Sequence, residues 1–232
     1  MDGELFGPGR VEDLRRAVAD YSLLLTRGYP EEVSLKLVGD RFALRARQRT
    51  AVRRCSCSDR ALALRLERRV PLEEIRGRTL LIDAFNLVIL LESAFGGGIV
   101  LRGRDGCLRD LAELRGSYRI VRDTPEVVDR LCAFLRAFEP ARADWLLDRP
   151  VSNSGRLRVL LAEVGERRGL PGRVLLVPDP DRLLVGERAR DAVVATADSR
   201  ILDEGPPWCD PASAFLERSA MGSVVLDLRS RD

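Results

Sequence analysis

Three short apolar runs in this chain each close on an aspartate: TLLID ending at Asp83, DWLLD ending at Asp148 and DAVVATAD ending at Asp198. Each is rich in Leu, Ile or Val and leads into a polar or helix-starting stretch. A strand buried on both faces of a parallel sheet reads this way, because it needs no alternation of polar and apolar residues. Parallel strands present their carboxyl ends at one rim, where ligands of open sheets bind. The three aspartates are therefore predicted to converge. Clustered carboxylates need a counter-ion, and hard oxygen donors select Mg²⁺ or Mn²⁺.

Around these runs, residues 78–232 alternate strand and helix. Strands are predicted near 79–83, 144–148, 173–177, 191–196 and 222–227, and helices near 86–95, 125–138, 156–168 and 211–218. Such alternation specifies an α/β domain with a parallel sheet flanked by helices. The stretch 96–122 reads as irregular, with three glycines at 96–98 that can turn into a short hairpin.

Residues 1–77 read instead as a small all-helical module. Val11, Leu14, Val18, Tyr21 and Leu25 recur at helical spacing. A second helix is expected from Pro30 to Val38, stopping at Gly39. A third starts near Leu44 and puts Arg45, Arg49 and Arg53 on one stripe; a fourth runs from Ser58 to Arg69. Two short helices around a glycine, the second basic, resemble a helix-turn-helix. Residues 41–69 hold ten arginines against Asp59 and Glu67, a concentration that points to a polyanion partner.

Composition removes several chemistries. The 232-residue chain has no histidine, which excludes Ser-His-Asp and Cys-His catalysis and histidine zinc sites. Five cysteines without framework spacing fit a reducing, cytoplasmic setting. No secretory signal, membrane span, Walker lysine motif or dinucleotide fingerprint is visible.

Candidate chemistry therefore rests on carboxylates. Asp83, Asp148 and Asp198 are the metal ligands to expect, with Asn86 orienting water or substrate. Two or three carboxylates around a divalent ion can acidify water and stabilise charge on a phosphoryl group. Aspartates after strands also cap helices, and convergence of three is what favours a site. The segment 102–119 brings Arg104, Arg109 and Arg115 near Tyr118, a pairing suited to phosphate contact and base stacking.

These motifs carry a resemblance. LLIDAFN, with Asp83 and Asn86, resembles the first motif of PIN and NYN nuclease domains. WLLDRP, with Asp148, resembles the aspartate-ending second strand of the related flap-endonuclease fold, and ATADSRILD, with Asp198 and Asp203, their late motif. The whole layout is similar to a mostly archaeal family of unknown function that joins a helical module to a PIN/NYN-like domain. The resemblance implies a PIN/NYN-like α/β domain over 78–232 and a Mg²⁺- or Mn²⁺-dependent nuclease acting on nucleic acid, with RNA favoured over DNA. It also implies a fourth acid, open between Asp203, the first choice, and Glu92 or Asp110. The alternative is a non-catalytic RNA- or DNA-binding adaptor with a degenerate domain. A third possibility is a toxin-like or assembly protein whose α/β domain mainly dimerises. The sequence leaves the oligomeric state open, a homodimer included.

Overall fold

The computed structural model describes residues 2–112, 116–186, 191–219 and 225–229. Its helices are α1 (Asp2–Leu5), α2 (Pro8–Thr26), α3 (Glu31–Arg41), α4 (Ala46–Cys55), α5 (Asp59–Arg68), α6 (Ala84–Phe95), α7 (Thr124–Arg136), α8 (Ser154–Arg168), α9 (Pro180–Val185), α10 (Ser199–Asp203) and α11 (Pro211–Arg218). The strands are β1 (Thr79–Asp83), β2 (Val100–Arg102), β3 (Leu108–Arg109), β4 (Arg142–Asp148), β5 (Val174–Val177), β6 (Val193–Ala195), β7 (Trp208–Cys209) and β8 (Val225–Asp227). Among the described residues no helix is long and apolar enough to cross a membrane.

The chain divides into two compact units, neither continuous in sequence. The first comprises Met1–Glu67, Gly97–Leu111 and Ser223–Asp232; the second comprises Arg68–Gly96 and Ala112–Gly222. In the first unit α2 buries Leu14, Ala17, Val18 and Tyr21 against Val38, Leu44, Ala51, Val52 and Cys55. Three leucines from later in the chain, Leu101, Leu111 and Leu228, complete that core. They arrive with a small sheet of order β3-β2-β8, with β2 antiparallel to β3 and parallel to β8.

A division between residues 77 and 78 therefore does not describe the packing. The strand expected at 222–227 leaves the α/β domain, as Val225–Asp227, to pair with β2. A local apolar run specifies a strand but not its partner. Helix α3 likewise runs through Gly39 to Arg41. A Cβ at Gly39 would lie 2.3 Å from the Arg49 guanidinium, so the glycine serves close approach rather than a stop. The left-handed turn after α3 falls on Ala43, with φ of 49°.

The second unit holds a five-stranded sheet, order β5-β4-β1-β6-β7, with every pairing parallel. Helices flank it. α6, α7 and α11 meet through Phe95, Phe134 and Phe215, with ring centroids 6.4 and 5.4 Å apart. α8 packs on α7, β4 and β5, and α9 packs on β1 and β4. The outer strand β7 has no counterpart among the expected strands; it is two residues long and follows Gly205-Pro206-Pro207, which reads as a turn. Arg69 bridges to Trp208 and lays its guanidinium over the indole, 5.5 Å from the centroid.

Candidate active site

The chain leaves β1 for β4 on one side and later returns to β6 on the other. This reversal makes β1 the switch point of the sheet, and in open parallel sheets a crevice forms there at the carboxyl ends. Register fixes what lines it. Asp83 ends β1 opposite Leu146, Asp148 ends β4 opposite Val177, and Asp198 follows β6 by three residues. The three expected aspartates therefore share one rim, with Asp83 central.

Hydrogen bonds tie two of the junctions together. Asp83 caps α6, its Oδ1 accepting from the Asn86 N–H at 3.3 Å. The buried Thr196 hydroxyl donates to Asp83 Oδ2 at 2.9 Å and accepts the Asp198 N–H at 3.0 Å. Asn86 Oδ1 accepts the Ala197 N–H at 2.8 Å. Asp198 in turn caps α10 by accepting from the Arg200 N–H at 2.8 Å. Asn86 is thus a clamp between β1–α6 and β6–α10, with its carbonyl oxygen occupied.

The rim is electrostatically strained. Burial pushes the Asp83 carboxyl up to about 7, and repulsion from Asp198 and Asp181 adds to it against the pull of the Thr196 and Asn86 donors. Asp148 is also raised, by burial and then by Asp179, and its Oδ1 is buried without a hydrogen-bond partner. Asp181 is raised by burial, Asp198, Asp179 and Asp148, although Arg200 draws it down. Asp179 and Asp181 are acids that sequence reasoning missed. They stand in a Pro-Asp-Pro-Asp turn after β5, and the usable signal was that β5 must end at the same rim.

The donor set is hard oxygen throughout, and the orphaned Asp148 oxygen suits a cation. Among the described residues, however, no three acids or cysteines stand close enough to hold a metal ion together. Magnesium commonly takes only one or two protein carboxylates and keeps several waters, so this looser arrangement remains compatible with it.

The other candidates lie elsewhere. Asp203 is exposed at the far end of α10 from Asp198. Glu92 accepts from Tyr118 Oη at 2.6 Å and from the Thr124 hydroxyl, so it anchors the start of α7. Asp110 belongs to the first unit, where Arg54 donates to its carbonyl and carboxylate at 2.7 and 3.3 Å. None of the three is among the acids whose charge acts on the Asp83 carboxyl, which are Asp198 and Asp181.

The expected nucleic-acid contacts are also redistributed. Arg109 is buried, with both terminal nitrogens on Asp105 at 2.8 and 2.6 Å. Arg104 donates to the Cys57 carbonyl and to Asp59, at 2.8 and 2.6 Å. Arg49 folds onto Asp40 and the Leu44 carbonyl, at 2.7 and 3.0 Å. Tyr118 is buried edge-on against Phe85, 5.2 Å between centroids, and offers no face to a base. Arg45 and Arg53 are exposed; Arg115 lies outside the described residues. Charge in a sequence does not report burial, which is why the basic segment around 104–118 misleads.

The fold and the rim together define a two-region α/β protein with several carboxylates at the carboxyl ends of its parallel strands. Residues 72–214 match the family described as domain of unknown function (DUF5616), and the chain belongs to that family. Residues 13–68 match a second, described as protein of unknown function (DUF434). An uncharacterized protein of Methanocaldococcus jannaschii is 29% identical over 189 residues, spanning 82% of this chain and 88% of the relative. No solved structure matches the chain.

Proposed function

We propose that the second unit is a Mg²⁺- or Mn²⁺-dependent phosphodiesterase of PIN/NYN-like type, acting on nucleic acid. The observation that supports this reading is that strand register puts Asp83 and Asp148 at the ends of neighbouring parallel strands, with Asp198 just past the next strand and the Asp83 carboxyl pushed up to about 7 by burial and like charge. Acids gathered on one rim call for a cation, and one or two of the three aspartates would hold it directly, with water completing its shell. The cation would neutralise charge on a phosphoryl group and acidify water. Thr196 would hold the Asp83 and Asp198 junctions in register, and Asn86 would fix the two loops. The choice of RNA over DNA rests on the resemblance alone.

The test is incubation of the purified protein with single-stranded and structured RNA in Mn²⁺, against EDTA and an Asp83→Asn/Asp198→Asn variant. Cleavage that needs the metal and disappears in the variant is the expected result. Cleavage that persists in EDTA or in the variant would sink the proposal. One observation favours a second reading, a non-catalytic RNA- or DNA-binding adaptor: no three acids are preassembled around one point among the described residues. RNA binding that is indifferent to chelator, with no cleavage under any divalent ion, would select it.

A further inference from the structure

The carboxylate rim carries arginines of its own. Arg149 follows Asp148, Arg182 follows Asp181, and Arg200 lies two residues after Asp198. All three are exposed. Arg182 and Arg200 donate backbone N–H groups to Asp179 and Asp198, at 3.1 and 2.8 Å, which fixes both residues at the rim. Arg149 Nη2 rests on the Leu176 carbonyl at 3.1 Å.

Among the described residues none of these three guanidiniums forms a salt bridge with a rim acid. Arg200 draws the Asp181 carboxyl down, yet burial, Asp198 and Asp179 keep it above the usual range. A rim that holds both signs of charge without mutual pairing suits a ligand that brings both. A phosphodiester strand does so when a cation sits between its reacting phosphate and the carboxylates. The phosphates on either side then remain for guanidinium forks, the side chain best shaped for them.

We propose that Arg182 and Arg200, with Arg149 beside them, form the phosphate-binding edge of the site and hold the phosphates flanking the reacting one in a single-stranded RNA. The inference rests on the nuclease reading and moves the main RNA contact from the basic helices to the rim.

Binding of a labelled single-stranded RNA 12-mer to the full chain, by fluorescence anisotropy in Ca²⁺ over a salt series, tests it. Arg182→Gln/Arg200→Gln is expected to weaken binding tenfold or more. It should also cut the slope of log K against log salt by about 1.4, at about 0.7 for each single-strand phosphate that an arginine no longer neutralises. Each single variant should remove about half of that, which keeps the inference testable if the pair does not fold. Arg136→Gln/Arg167→Gln removes the same charge from the C-terminal ends of α7 and α8, which lead back to the opposite edge of the sheet. It is expected to change neither quantity. Equal effects from the two pairs, or an unchanged slope in a folded rim variant, would overturn the inference. Metal-dependent cleavage that disappears in Asp83→Asn/Asp198→Asn would still stand in that case. A wild-type chain that neither binds nor cleaves RNA overturns both.

Discussion

At the scale of single residues, Asp83 makes the clearest demand. Its carboxyl sits near 7 in the fold, above the ordinary carboxylate value of 3.8, so the folded state holds a proton that the unfolded chain has released. Between about pH 4 and pH 7 stability therefore falls as pH rises, and the deficit is complete above about 7. At about 1.4 kcal/mol per pH unit, the deficit is on the order of 4 kcal/mol. Asparagine keeps the helix cap without the charge. In metal-free protein, Asp83→Asn is expected to unfold at higher urea than wild type at pH 8, with the advantage gone by pH 4. An equal loss of stability at both pH values would show that the ionised carboxylate is not strained. Asp83, Asp148 and Asp198 are legible in the sequence because each ends an apolar run. Asp179 and Asp181 are not, because their prolines announce a turn and say nothing of the strand it closes. Arg109 and Tyr118 show the converse limit: both look like contact residues until their burial is known.

Among the elements, the turn between β2 and β3 is held by an ion network with almost no water around it. Asp105 meets Arg65 at 2.6 Å and Arg109 at 2.6 Å, with side-chain exposures of 1%, 2% and 7%. The two guanidiniums outweigh burial and hold the Asp105 carboxyl far below the usual range. Because that shift is downward, its stabilisation is present at neutral pH and drains away as pH falls below about 4. Asp105→Asn removes the carboxylate that both buried guanidiniums share and is expected to cost about 3–5 kcal/mol in urea unfolding at pH 7. A loss below about 1 kcal/mol would mean that water reaches the network. Elements differ in how plainly they can be read. β1 and β4 each carry a short apolar run that closes on an aspartate, and the sequence marks both to within two residues. β7 has two residues and takes its identity from β6 and Arg69, so no local pattern marks it. β8 reads as a strand correctly, but its neighbour is β2, more than a hundred residues earlier in the chain.

For the whole molecule, the first unit draws its core from three separated stretches. Leu101, Leu111 and Leu228 are each almost fully buried in it. Burying three leucines contributes roughly 5–9 kcal/mol, comparable to the full stability of a small domain at roughly 5–15 kcal/mol. A fragment ending at residue 77 is therefore expected to show helical circular dichroism but a broad, non-cooperative urea transition. A sharp transition matching that of the intact chain would show that the helices need no sheet. The same arrangement sets an order of events during translation. Helices α2 to α5 leave the ribosome early, yet the strand that seats Leu228 emerges on the order of ten seconds later at usual elongation rates. Throughout that interval the nascent helices hold an open apolar seam, and the second unit has been synthesised in full before it closes.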